Sequence, residues 1–277
     1  MKQFAGKVAA VTGAGSGIGR ALALALAERK CHLSLCDIDA EALQQTVTEV
    51  NAFGVNVTSR TVDVAQREAV HEWAEATVRD HGKVNLIFNN AGVALVTTIE
   101  GADYAELEWI MGINFWGVVY GTKAFLPHLK AAGEGHIINL SSVFGIAGIP
   151  GQCGYNAAKF AVRGFTECLR EELDIQRCGV SASSVHPGGI KTNIARRARN
   201  NGTVAALGMD IDPSGDTFEK AARTTPAQAA QIILRGVENN KRRILVGPDA
   251  HVFDWTVRLF PSRYQDIVIW LMRKVKT

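Results

Sequence analysis

Thr12-Gly13-Ala14-Gly15-Ser16-Gly17-Ile18-Gly19 follows directly on the uncharged apolar run Val8-Ala9-Ala10-Val11. A short apolar run closed by a turn signal predicts a buried strand, here Lys7–Thr12. The stretch Ile18–Arg29 that follows is rich in alanine and leucine. Leu22, Leu24 and Leu26 alternate, but length and alanine content predict a helix. Glycines between a buried strand and a helix allow a tight turn and close approach of backbone to a ligand. They also leave the first helical N–H groups and the positive end of the helix dipole facing that ligand. The spacing of Gly13, Gly17 and Gly19 is G-x-x-x-G-x-G rather than G-x-G-x-x-G, and by itself it also suits an ordinary strand-to-helix turn.

Working outward, the same rhythm repeats. Strands are predicted at His32–Cys36 (ending in Asp37), Val55–Val62, Val84–Asn89, Gly135–Ser141, Val180–His186 and Arg243–Val246. Helices are predicted at Ala40–Phe53, Gln66–His81, Tyr104–Lys130, Tyr155–Arg177 and Pro226–Asn239, the last with proline at its first position. Residues 190–225 show no clear period and read as a mobile insertion. Strand–helix alternation of this kind predicts an α/β fold with a mainly parallel, seven-stranded sheet and helices on both faces.

Composition narrows the class. The 277 residues are 47% hydrophobic with a net charge of only +3, which excludes a mainly disordered chain. The start of the chain lacks the long apolar stretch of a secretory signal, and no run reaches the roughly 18 apolar residues of a membrane span. Cys31, Cys36, Cys153, Cys168 and Cys178 are odd in number and form no C-x-x-C pair. They suggest neither a disulfide framework nor a zinc site, so a reduced, cytoplasmic setting is expected. The seven histidines show no metal-ligand spacing, and no metal is expected. Charge is uneven: Lys241–Thr277 carries eight basic and three acidic residues, while the rest of the chain is net −2.

Two constellations carry chemistry. Asp37 ends the second strand 18 residues beyond Gly19, where a carboxylate can take the hydroxyls of an adenosine ribose. It would repel a 2′-phosphate, and neither Ser16 nor Ile38 is basic, so NAD is favoured over NADP. Capping of the next helix is the plainer role for Asp37. Tyr155 and Lys159 stand at i and i+4, on one helix face. A phenol is a poor acid/base near neutral pH unless a nearby ammonium stabilises its anion. Ser142, just past the fifth strand, can hydrogen-bond a substrate oxygen.

Taken together, T-G-x-x-x-G-I-G, Asp63-Val64, Asn89-Asn90-Ala91-Gly92, Asn114, Ser142, Tyr155-x-x-x-Lys159 and Pro187-Gly188 stand in the order and approximate spacing of the short-chain dehydrogenase/reductase family. The resemblance covers about residues 5–247. It implies a single-domain Rossmann-type, doubly wound fold over residues 1–277, and an oxidoreductase that interconverts an alcohol and its carbonyl. Tyr155 would be the general acid/base, Ser142 would orient the reacting oxygen, and Lys159 would lower the tyrosine pKa and hold the nicotinamide ribose. Asn114 would hold a water in the proton relay. Gly13, Gly15, Ser16, Gly17, Ile18, Gly19 and Asp37 would cradle the dinucleotide. Asp63 and Val64 would meet adenine, Asn90, Ala91 and Gly92 would lie beside the cofactor, and Pro187, Gly188, Ile190 and Thr192 would hold the carboxamide end. A homodimer or homotetramer formed through the two long helices is also implied.

Alternatives remain within this frame: an NADPH-dependent carbonyl reductase, or a sensory protein that keeps the fold without turnover. The segment after Pro187-Gly188 (about 190–225) reads as a substrate lid. Its Ile190, Ile194, Val204, Ala205, Ala206, Leu207 and Met209, with the apolar tail, lean towards a lipophilic substrate; the alcohol is read as secondary, with an alcohol and its aldehyde as the other possibility. Lys191, Arg196, Arg197 and Arg199 would greet an anionic substrate or form a solvated face. His186 is expected to be a packed strand-end residue, and Cys153 a small wall residue. The extension at about 248–277 mixes Trp255, Leu259, Phe260 and Ile267–Met272 with Arg258, Arg263, Arg273, Lys274 and Lys276, and Pro261 would split it into two helices. It would pack on the body or on a neighbouring subunit, or lie on a membrane surface. No nucleic-acid partner is expected.

Overall fold

The computed structural model describes residues 3–209 and 216–274. Residues 210–215 of the lid, and Lys276 in the extension, lie outside the described residues. The elements run β1 (Val8–Thr12), α1 (Gly17–Glu28), β2 (His32–Asp37), α2 (Ala40–Asn51), β3 (Val57–Thr61), α3 (Arg67–His81), β4 (Leu86–Asn89) and β5 (Leu95–Val96). They continue with α4 (Tyr104–Met111), α5 (Gly117–Ala131), β6 (Gly135–Leu140), α6 (Cys153–Gln176), β7 (Val180–Pro187) and β8 (Arg199–Asn200). The last are α7 (Asp216–Ala221), α8 (Pro226–Glu238), β9 (Arg243–Val246), α9 (Pro248–Leu259) and α10 (Tyr264–Lys274).

Seven strands form one parallel sheet in the order β3-β2-β1-β4-β6-β7-β9. The apolar runs are continuous because both sheet faces are covered. Ala9, Val11, Leu33 and Leu35 point to a layer with Leu22, Leu26, Ile233 and Leu234 of α1 and α8. Ala10, Ile87 and Ile137 point the other way, onto Trp73, Phe125 and Leu169 of α3, α5 and α6. The chain winds outward from β1 to β3, then returns to place β4 on the other side of β1. A crevice therefore opens at the carboxyl ends of β1 and β4, the usual ligand position in open α/β sheets. The glycine-rich stretch and Asn89–Gly92 meet there.

The structure corrects several sequence expectations. The predicted helix Tyr104–Lys130 is interrupted by a π-helical turn at Gly112–Trp116. The strand expected over Val55–Val62 is only Val57–Thr61, an edge strand whose last residues are exposed. The segment 190–225 is not a patternless insertion. Arg199–Asn200 pairs in parallel with Leu95–Val96, and Thr203–Leu207 forms a 3-10 turn before α7. The sequence shows no period there because these elements are too short to complete one. The extension does split, with α9 ending at Leu259 and α10 starting at Tyr264.

Candidate active site

The glycine-rich loop is shaped by contacts that exclude side chains. Gly13 (φ +64°) has Ala91 Cα 2.9 Å from where a Cβ would stand, and a Cβ on Gly19 would meet the Gly13 carbonyl at 2.0 Å. Thr12 Oγ1 accepts from the backbone N–H groups of Asn90 and Ala91, each at 2.9 Å. Asn90 Nδ2 donates to the carbonyls of Thr12 (2.8 Å) and Gly13 (3.2 Å). Asn90 and Ala91 thus fasten the loop to the end of β4. The side chain of Ser16, the N-cap of α1, caps no helical N–H. The amino end of α1 thus faces the crevice with no side-chain cap, as an anion site requires. Ile18 contributes its backbone there, while its side chain packs on the core.

Asp37 closes one end of the crevice. Its Oδ2 accepts from Gly15 N at 2.7 Å and its Oδ1 from Asp39 N at 3.0 Å. It does not cap α2; Asp39 does, accepting from Ala42 N at 3.0 Å. A cleft of about 440 Å³ beside the loop is lined by Ser16, Arg20, Asp39 and Arg197, among others. Arg20 is held by Gly15 O (2.6 Å) and Thr46 Oγ1 (3.0 Å), and Arg197 lies 3.8 Å from Asp39. Neither cation stands free for a 2′-phosphate. Asp63 Oδ1 accepts from Ala65 N at 2.9 Å, and Val64 packs where a Cβ on Gly117 would stand, at 2.9 Å. Val64 is therefore partly a packing residue. Donors at a helix end, a carboxylate at the ribose position and a cradle that a Cβ would fill all fit a dinucleotide.

The candidate catalytic residues converge where β6 ends and α6 begins. Ser142 caps a short turn, its Oγ accepting from Phe144 N at 3.1 Å, and its side chain is near enough to the Tyr155 phenol to act on its ionisation. The Tyr155 ring meets Phe144 edge to face, with centroids 6.0 Å apart. Burial raises the phenol above its usual pKa, and the Ser142 contact opposes that. Lys159 is buried; its Nζ donates to Leu140 O at 3.0 Å and lies 5.6 Å from the Tyr155 ring centroid. Burial pulls its pKa down to about 8.

Asn114 lies in the π-helical turn, where the extra residue per turn alters which side chains face inward. Its amide is engaged at both ends by Val93, accepting from N at 2.8 Å and donating to O at 2.9 Å. It fixes the chain just after Gly92. A Cβ on Gly92 would lie 3.2 Å from Asn114 Oδ1 and 3.5 Å from Lys159 Nζ, so the three groups share one space.

Pro187 ends β7, and Gly188 cannot carry a Cβ because Asp249 stands 2.1 Å from that position. Asp249 Oδ2 accepts from Gly189 N at 2.5 Å. Ile190 is buried and bridges to Thr224, and Thr192 lies over the glycine loop, its Cγ2 3.2 Å from a Cβ on Gly17. The lid is latched to the loop after Gly92. Asn201 Nδ2 donates to Thr97 Oγ1 (2.8 Å), Gly101 O (2.9 Å) and Glu106 Oε2 (3.0 Å). Three of the lid bases are drawn to different partners. Arg199 stacks on Trp109 at 3.6 Å, Arg196 pairs with Asp216 at 3.0 Å, and Arg197 turns to the cofactor loop.

Two features escaped sequence reasoning. His186 is fully buried: its Nδ1 donates to Ser142 O at 3.0 Å and its Nε2 accepts from Ser184 Oγ at 2.9 Å. It is a packed strand-end residue, as expected, but it also holds the backbone of Ser142. Tyr264 of α10 accepts from Gly148 N at 3.1 Å, tying the extension to the loop between Ser142 and Tyr155. No local pattern marks either residue, since both act across long sequence separations.

The fold and site together define a dinucleotide-dependent oxidoreductase of the doubly wound α/β type. A family model described as short chain dehydrogenase matches residues 7–202, and the chain belongs to the short-chain dehydrogenase/reductase family. It is 48% identical over 269 residues to the protein SadH of Mycobacterium tuberculosis, covering 97% of this chain and 96% of that protein. It is 28% identical over 268 residues to estradiol 17-beta-dehydrogenase 11 of Rattus norvegicus, covering 96% of this chain and 84% of that one. A short-chain dehydrogenase/reductase from Burkholderia phymatum, solved in complex with NAD, superposes with a TM-score of 0.83 at 31% identity, covering 96% of each chain.

Proposed function

We propose that this chain is an NAD-dependent dehydrogenase that interconverts a lipophilic, secondary alcohol and its ketone, with Tyr155 as general acid/base. The observation that carries the reading is the convergence of Ser142, Tyr155 and Lys159 beside Gly92 at the mouth of the dinucleotide crevice. In the oxidising direction Ser142 holds the alcohol oxygen and the Tyr155 phenolate takes its proton. The Lys159 ammonium stabilises that phenolate, which burial alone disfavours. A bound nicotinamide would supply the acceptor for the hydride of the carbinol carbon, which becomes the carbonyl carbon. Asp37 holds the adenosine ribose, and Pro187, Gly188, Ile190 and Thr192 position the carboxamide end. Asn114 fixes the turn after Gly92, beside which a relay water would stand.

The lipophilic reading rests on the lid. Val204 and Met209 close on Gly151, 3.1 and 3.6 Å from where its Cβ would stand, and Leu95, Leu107 and Ile110 pack around Gly154. The whole chain acts as one catalytic unit, as a cytoplasmic homo-oligomer. The test is a panel of secondary alcohols, hydroxysteroids, retinol and long-chain alcohols with NAD⁺, followed by reduced-nicotinamide absorbance. Turnover lost in Tyr155→Phe, with NADH binding retained, supports the mechanism. Retained turnover in that variant refutes it, and tighter binding of NADPH than NADH refutes the cofactor assignment.

A further inference from the structure

The extension presents an apolar surface on helices that Tyr264 ties to the loop between Ser142 and Tyr155. On α9, Ala250 and Asp254 face inward, and buried Asp254 is gripped by Arg243 and Arg258, each at 2.8 Å. The opposite side of α9 carries Val252, Trp255 and Leu259, at i, i+3 and i+7, each more than 60% exposed. Phe260 continues this face, and α10 adds Ile267, Ile269, Trp270 and Leu271, all at least 40% exposed. Exposed apolar side chains gathered on two consecutive short helices mark a contact site.

Charge indicates the partner. Residues 248–274 carry three carboxylates, and two of them turn away from this surface: Asp249 accepts from Gly189 N, and Asp254 sits between two arginines. Asp266 is exposed, and so are Arg263 and Arg273, which bracket the apolar residues of α10. Exposed tryptophan and aliphatic side chains flanked by cations suit the headgroup layer of an anionic bilayer. Among the described residues no helix is long and apolar enough to cross a membrane. At 11 residues α10 is about 16 Å long, suited to lying on the surface.

We infer that α9 and α10 form an interfacial docking surface for anionic lipid membranes and turn the substrate entrance towards the bilayer. The Tyr264–Gly148 hydrogen bond fixes α10 to the loop that also meets Val204 and Met209 of the lid. A membrane-seated molecule thus holds its entrance where lipophilic alcohols partition. The lipid-facing orientation of the entrance rests on the proposed dehydrogenase activity; the docking itself does not.

The test is co-sedimentation of the full chain with vesicles of phosphatidylcholine plus phosphatidylglycerol, against phosphatidylcholine alone, with NADH binding as the check on folding. Wild type is expected to pellet with the anionic vesicles and to be released by salt. Arg263→Glu with Arg273→Glu should weaken binding by at least about five-fold per arginine, and Trp255→Glu with Leu271→Glu should abolish it. No wild-type binding, or equal binding by all variants, overturns the inference. So does sedimentation velocity showing that Trp255→Glu with Leu271→Glu breaks an oligomer while vesicle binding persists, because the surface would then be a subunit contact. Vesicle binding by a protein inactive towards every alcohol would refute the proposed activity and leave the docking surface standing.

Discussion

Replacing Lys159 with methionine isolates one electrostatic effect. The ammonium is 4% exposed, is held by Leu140 O at 3.0 Å and lies 5.6 Å from the Tyr155 ring centroid. Taking that centroid distance as the scale of the charge separation, and an effective dielectric near 20, a unit charge stabilises a phenolate by about 3 kcal/mol, roughly a hundredfold in its population. Burial works against both charges, raising the Tyr155 phenol and drawing Lys159 down to about 8. The ammonium is therefore fully charged well below pH 8 and fades above it, unless the phenolate forms and holds the proton on it. In the wild type, kcat/KM for alcohol oxidation rises with pH as Tyr155 ionises. In Lys159→Met the same rise starts at higher pH, and the rate near neutrality falls about a hundredfold. The assay is the pH profile of kcat/KM at saturating NAD⁺, with the Kd for NAD⁺ measured alongside. A variant whose rise coincides with that of wild type, slowed only through weaker NAD⁺ binding, would refute the electrostatic role and leave Lys159 as a ribose ligand.

Further outcomes follow from other contacts. Asp37→Ser should weaken NADH by roughly ten- to a hundredfold, since a charged hydrogen bond contributes about 1.5–3 kcal/mol, and should narrow the gap to NADPH; fluorescence titration with both nucleotides checks this. Asn201→Ala opens the lid latch and should raise KM for the alcohol about tenfold, from a loss of about 1–1.5 kcal/mol, with the NAD⁺ Kd unchanged. Gly19→Ala drives a methyl group to within 2.0 Å of the Gly13 carbonyl and should abolish NADH binding before it abolishes folding. His136 and His186 are buried and neutral, their pKa values lowered from 6.5 to about 3 and about 4. The unfolded chain takes up those protons first, so stability is complete above about pH 6.5 and falls as the pH drops. At pH 5 each costs about 2 kcal/mol, which urea denaturation across pH should resolve. A flat profile between pH 7 and 5 would contradict the burial of both rings.

Much of this was legible in the chain. Buried parallel strands need apolar residues on both faces, so runs such as Val8–Val11 and Ile137–Leu140 stand out without context. The glycine-rich loop was legible too, because a Cβ at Gly13 or Gly19 has no room in this turn. Tyr155 and Lys159 are paired by helix geometry alone, four residues apart. These are local constraints, enforced within a turn or a strand, and a linear sequence can carry them.

Tertiary structure decided what depends on distant partners. The order that puts β4 beside β1 opens the crevice, and only that neighbourhood lets Thr12 and Asn90 lock the loop across 78 residues. Asn114 is set by the π-helical turn and by Val93, while Ser142 is steadied by His186 from another strand. The sequence left the lid bases open between an anion site and a solvated face, and Arg199, Arg196 and Arg197 are drawn to Trp109, Asp216 and Asp39. The extension showed its apolar and basic residues plainly. Which residues of α9 turn outward depends on its anchored carboxylates, Asp249 on Gly189 N and Asp254 between Arg243 and Arg258, while Tyr264 ties α10 to Gly148.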